Sequence, residues 1–165
     1  MKQSIIKVVV FAVAFAFVEA AVVIYLRRLF ALNQASVSQD QILFLIPGIA
    51  FLEPRFAVKI ITDTAILNIE RLREAATLIM LASVAALAAK NLKQKIAFFL
   101  LMFGVWDIFY YIFLKLTIGW PKSLLDLDTF FLLPTPWVGP VIAPISISLL
   151  IIAASILYLV KGNKR

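Results

Sequence analysis

The 165-residue chain predicts an all-α integral membrane protein with four transmembrane helices and interfacial or re-entrant segments on the outer side. Three observations carry that prediction. Hydrophobic residues make up 64% of the chain and charged residues only 15%, against roughly 45–50% and ~25% in soluble domains. Mean hydropathy is +1.03. Four apolar stretches approach the ~20 residues that a helix rising ~1.5 Å per residue needs to cross a ~30 Å hydrocarbon core.

The first span, about residues 5–28, is apolar apart from Lys7, Glu19, Arg27 and Arg28. Its basic start and the small residues Ala12, Ala14 and Ala16 have the look of a signal peptide. The apolar run outlasts a signal core of ~7–15 residues, however, so we read a retained span. Residues 42–52 are apolar but too short to cross, contain Pro47 and Gly48, and run into Glu53, Pro54, Arg55 and Lys59. Residues 42–61 therefore read as an interfacial or re-entrant segment, with a fifth span as the alternative.

The second span is expected at about 66–89. Its charge-free part, residues 75–89, is 15 residues long, or about 22 Å of helix. Lys90, Lys93 and Lys95 close its far side, so the helix must recruit Glu74, Arg73 and Glu70 to cross. The third span, about 96–115, is interrupted by Asp107. Beyond it, Ser123 and Asp126 have capping-box spacing and predict a short interfacial helix over 123–134, bracketed by Trp120 and Trp137 as an aromatic belt would be. The last span, about 138–160, carries no charge, although Gly139, Pro140 and Pro144 crowd its start. The proline-rich run 133–140 reads either as a rigid hairpin that delivers this helix or as irregular backbone whose freed carbonyls line a cation or substrate site.

With four spans both termini share one side. That side carries Lys2, Lys7, Lys90, Lys93, Lys95, Lys161, Lys164 and Arg165 and no acid, whereas the other eight basic residues stand among all nine acids. The positive-inside rule makes it the cytoplasmic face, which places a multi-pass protein in the cytoplasmic membrane with both termini inside. The pI of 9.9 thus reports orientation rather than a nucleic-acid partner. Expected partners are the bilayer, anionic lipid head groups beside Lys90, Lys93, Lys95, Lys161, Lys164 and Arg165, and a membrane protein or second copy. Without Cys or His the chain has no disulfide, thiol, imidazole, haem-histidine or zinc-histidine chemistry. It also lacks a glycine-rich phosphate loop. No cofactor or metal is expected.

Depth follows from counting along the helices. Glu19 lies 12 residues beyond Lys7 and Asp107 lies 12 beyond Lys95, about 18 Å in each case and just past the midplane. Glu74 and Tyr111 fall at about 24 Å, while Arg27, Lys115 and Glu70 reach about 30 Å, the outer boundary. Glu70, Arg73 and Glu74 share one helical face, and Asp107 and Tyr111 another, with Trp106 and Tyr110 beside them. A charge in the bilayer core costs at least ~2.5–3.5 kcal/mol, so these groups must face the interior and pair, or hold a proton. Arg27, Arg73 and Lys115 are the available cations. Glu19 and Asp107, deepest and furthest from a base, are expected to share a proton or to have a raised pKa. The candidate polar site is therefore Glu19, Arg27, Glu70, Arg73, Glu74, Asp107, Tyr110, Tyr111 and Lys115. Asp126 and Asp128 on the expected outer helix read as solvated or capping groups.

Three functions fit these residues. In the first, the charges are interhelical fasteners and the protein is a structural or accessory membrane subunit with no enzyme activity. In the second, Glu19 and Asp107 serve a small proton- or cation-linked transporter or channel. In the third, Glu19, Glu74 and Asp107 do acid–base work on a lipid or other amphiphile in the outer leaflet, with a basic residue on its head group. The segment Trp106-Asp107-Ile108-Phe109-Tyr110-Tyr111, followed by Gly119-Trp120-Pro121 and Pro134-Thr135-Pro136-Trp137-Val138-Gly139-Pro140, resembles a pattern in small uncharacterised bacterial multi-pass membrane proteins. The resemblance covers about the last third of the chain, with Glu70 to Thr77 a weaker part of it, and implies no activity.

Overall fold

The computed structural model describes residues 2–30, 41–57 and 61–161. Asp40, Lys59, Lys164 and Arg165, and the side chain of Lys2, lie outside the described residues. Four helices carry most of the chain: α1 (Lys2–Phe30), α2 (Thr64–Ala88), α3 (Leu92–Ile118) and α4 (Ile142–Lys161). Three stretches, Gln3–Leu29, Leu92–Ile118 and Ile142–Lys161, are long and apolar enough to cross a membrane. Their outward faces are correspondingly apolar, as with Ile6, Val10, Leu116, Leu149, Leu150 and Leu157.

Local chemistry sets the helix ends. The Asp63 carboxylate accepts the Ala65 and Ile66 N–H groups at 2.9 and 3.1 Å and starts α2. The Asn91 side chain accepts the Gln94 N–H at 2.9 Å and starts α3, which ends where Gly119 turns left-handed. At the start of α4, Pro144 sits in the first turn, where an amide has no helical acceptor to lose. The Val141 and Ile142 N–H groups instead donate to the carbonyls of Asp126 and Leu124.

The all-α expectation is corrected by a four-stranded antiparallel sheet of order β1-β2-β4-β3, made of β1 (Ile42–Ile46), β2 (Ile49–Leu52), β3 (Leu127–Phe131) and β4 (Trp137–Pro140). The segment at 42–61 is thus a β-hairpin followed by a single 3-10 turn at Pro54–Phe56, which rules out a fifth helical span there; residues 58–60 lie outside the described residues. Pro47 and Gly48 make its turn: proline sets one φ, and Gly48 takes a φ of +82° that side chains disfavour. The helix expected over 123–134 is absent. Ser123 and Asp126 do form local hydrogen bonds, but the Asp126 carboxylate accepts the Lys122 and Ser123 N–H groups in a tight turn that leads into β3. The last helix begins four residues later than the expected 138, because residues 137–140 pair in the sheet. There the Pro136 carbonyl accepts the Leu52 N–H at 2.8 Å, so the proline-rich run is bound into the sheet.

Helix α3 is central and packs against α1, α2 and α4. Ala12, Ala16 and Ala20, four residues apart on α1 and fully buried, let its backbone come close to α3. Gly104 does the same against α4: a Cβ there would stand 2.8 Å from Ile152 Cγ1 and 2.9 Å from the Ser148 carbonyl. One core joins Val8, Leu81, Ala85, Ala97, Phe98, Leu101, Met102 and Leu159. It therefore brings together the start of α1, the end of α2, the start of α3 and the end of α4. Lys7, Lys90, Lys93, Lys95 and Lys161 consequently cluster at one end of the bundle, with the sheet at the other.

Candidate functional site

The sheet end is where the ionisable residues meet. On α2 the i, i+3, i+4 spacing puts Glu70, Arg73 and Glu74 on one face, and both carboxylates are buried. Arg73 uses its fork on two sides. Its Nε donates to Glu70 Oε2 at 2.8 Å and its Nη2 to Glu70 Oε1, while Nη1 lies 2.5 Å from Glu19 Oε2 on α1. The Thr77 hydroxyl, one turn further along α2, donates to the same Glu19 oxygen at 3.3 Å. A planar guanidinium that holds two carboxylates on different edges fixes α1 against α2 in both height and rotation.

Among the described residues, Glu74 forms no ion pair. It accepts the backbone N–H of Leu132, just past β3, on both oxygens at 3.1 and 2.9 Å, and so ties α2 to the sheet. The sheet has a second tether. Arg27 Nη2 at the end of α1 donates to Asp128 Oδ1 at 2.9 Å, the Tyr111 hydroxyl on α3 donates to Asp128 Oδ2 at 3.2 Å, and the guanidinium lies 3.8 Å from the centre of the Trp120 ring. Burial pushes the Asp128 carboxyl up to about 6, against the pull of the Arg27 charge, the Tyr111 hydroxyl and the Thr129 N–H.

The two deepest carboxylates face different helices. Glu19 turns to α2, whereas Asp107 accepts the buried Ser148 hydroxyl of α4 at 2.8 Å. The expected proton shared between them has no geometric basis. Lys115 also departs from expectation: its Nζ donates to the Pro121 carbonyl at 2.7 Å and holds the loop after α3. Tyr110 stacks on Trp106 at 6.4 Å and meets the Tyr111 ring edge-on at 4.9 Å, within electrostatic reach of Arg27, Asp128, Glu19 and Arg73. From Trp106 the aromatic packing continues through Phe131, Trp137, Phe51 and Phe44 across the sheet.

Asp128, Thr77, Ser148 and Trp120 belong to this site although sequence reasoning left them out. Asp128 is the correction with most consequence, since it is a buried ion-pair partner rather than a solvated or capping group. No local signal marks it: the Leu-Asp-Leu-Asp alternation would put the leucines inside, whereas Leu127 is exposed and Asp128 buried against Arg27 and Tyr111. Chemically, the arrangement is a set of charge-assisted hydrogen bonds between elements. Among the described residues, no three carboxylates converge closely enough to hold a metal ion. No protein-family model matches this chain, and neither a curated protein nor a solved structure was found to be similar to it.

Proposed function

We propose that the protein is a structural or accessory subunit of the cytoplasmic membrane, in which the ionisable residues set the register of the bundle and hold the sheet against it. One observation carries this reading: three buried helix carboxylates, Glu19, Glu74 and Asp107, each bond to a different element. Glu19 joins α1 to α2, Glu74 joins α2 to the sheet, and Asp107 joins α3 to α4. Polar contacts of this kind are the usual adhesive between helices in lipid, where no hydrophobic force drives association.

On this reading α2 is the fourth span. Its 25 residues make about 37 Å of helix. In its first half Arg73 pairs with Glu19 and Glu70, and Glu74 accepts the Leu132 N–H beside the sheet, while its second half, from Ala75, is charge-free. The lysine end then faces the cytoplasm and the sheet the outer boundary. The accessory role is supported by β1, an edge strand whose Leu43, Phe44, Leu45 and Ile46 are all exposed. A transport role has less support, since the core toward the lysine end is built from Val8, Ala12, Leu81, Ala85, Phe98, Leu101 and Met102.

The test is a set of three variants, Glu19→Gln, Glu74→Gln and Asp107→Asn, purified in mild detergent and reconstituted in proteoliposomes. The fastener reading expects each variant to melt earlier than wild type, with the loss of about 1–3 kcal/mol that follows disruption of a buried charged hydrogen bond. Variants that melt like wild type but abolish a proton or cation flux carried by wild-type liposomes would overturn it in favour of transport.

A further inference from the structure

The groove between α3 and α4 at the lysine end is separate from the polar site. The two helices touch at Gly104, where Ile152 and the Ser148 carbonyl leave no room for a Cβ. Toward Lys93 they leave a groove of about 270 Å³. Buried Ala97 and Ser155 form its floor and Ile96, Leu100 and Ala154 its sides, while Lys93 and Tyr158 stand exposed at its end. From Lys93 to Leu100 it follows about 10 Å of helix.

We infer that this groove holds an acyl chain of an anionic phospholipid whose head group meets Lys93. The inference rests on the membrane reading above and adds to the anionic head groups expected at these lysines a groove for the acyl chain. Charge and geometry argue for that occupant together. The groove is apolar along its length and cationic at one end, which is the layout of a phospholipid lying parallel to a helix. Lys90, Lys95 and Lys161 extend the positive field around Lys93. The sequence holds no Asp or Glu before residue 19, between 75 and 106, or after 128, so no carboxylate on these segments competes for the lysines. Exposed Tyr158, one turn before Lys161, adds a phenol at the level where aromatic side chains meet head groups.

The test uses the full chain in phosphatidylcholine nanodiscs with a trace of spin-labelled phosphatidylglycerol or spin-labelled phosphatidylcholine, and reads the immobilised fraction of each label. Wild type is expected to select phosphatidylglycerol. Lys93→Gln is expected to reduce that selectivity about fivefold, the effect of a single basic residue at an anionic surface. Lys7→Gln, an equal change in charge at the same end but on α1, is expected to leave it unchanged. Ala154→Phe, which fills the groove from an exposed position, is expected to lower the immobilised fraction of both labels with helicity intact.

Absence of selectivity in wild type would overturn the proposal, as would equal losses in Lys7→Gln and Lys93→Gln or no response to Ala154→Phe. Flotation of wild type with phosphatidylcholine vesicles separates the two readings. A protein that floats without selectivity defeats the lipid groove alone, and one that does not float defeats the membrane reading and the groove with it.

Discussion

Toward the lysine end the helices meet through Val8, Ala12, Leu81, Phe98, Leu101 and Met102, whereas toward the sheet end a smaller apolar cluster of Ala20, Tyr111, Leu114 and Val141 is joined by the pairs Glu19–Arg73 between helices and Arg27–Asp128 between helix and sheet. The first set works by shape: small residues on α1 and Gly104 on α3 allow close backbone approach, and dispersion contacts accumulate over the interface. The two pairs work by matched donors and acceptors. In a low-dielectric setting such a set is costly to break, because removing one partner leaves the other charge buried and unpaired. A bundle held by shape at one end and by pairing at the other should therefore respond differently to substitutions that conserve volume.

The largest effect is expected at Arg73. Arg73→Met keeps much of the side-chain length but leaves Glu19 and Glu70 without their cation, and we expect a loss of about 3–5 kcal/mol by detergent melting. A loss below about 1 kcal/mol would mean that the sheet end is not held by pairing.

The next effect is read through pH at Asp128, which lies in β3. Its carboxyl has a folded pKa of about 6, against ~3.9 for an unperturbed aspartate. Between those values the folded protein keeps a proton that the unfolded chain releases. Its contribution is therefore fully present below about pH 4, is lost as pH rises through about 6, and is flat above. About two pKa units correspond to about 3 kcal/mol. Between pH 4 and 7 wild type should therefore lose about that much stability relative to Asp128→Asn, which has no carboxyl to titrate, and parallel melting profiles would remove Asp128 as the titrating group.

The smallest effect belongs to the lysine end. Met102 is fully buried, yet Met102→Leu conserves volume and should cost less than about 1.5 kcal/mol in the same melting assay. Should it cost as much as Arg73→Met, the contrast between the two ends would not hold.

Much of the helical frame was legible before the structure. Apolar length marked α1, α3 and α4, and lysine counting placed their charged ends together. The face shared by Glu70, Arg73 and Glu74 was also legible, because i, i+3, i+4 spacing is a local property of a helix. Arg73 was among the expected partners and does take that role. The sheet was not legible, for a definite reason: Pro47-Gly48 interrupts a helix and makes a hairpin turn equally well, so a breaker signal cannot say what it separates. Ser123 and Asp126 were ambiguous in the same way, since a side chain that accepts nearby N–H groups can start a helix or close a turn. Asp128 was hidden as well, because its burial depends on Arg27 and Tyr111, which lie far from it along the chain.

The sequence by itself predicted four spans, of which three form helices long and apolar enough to cross a bilayer, and it showed that the carboxylates within apolar runs need partners. These follow from composition and spacing along one segment. Only the tertiary structure decided who those partners are. Arg27 meets Asp128 101 residues away, Glu74 meets the Leu132 N–H 58 residues away, and β2 near residue 50 pairs with β4 near 138. Desolvation of a charge is a local cost that a sequence displays, but its compensation depends on which distant donor the packed chain brings within about 3 Å.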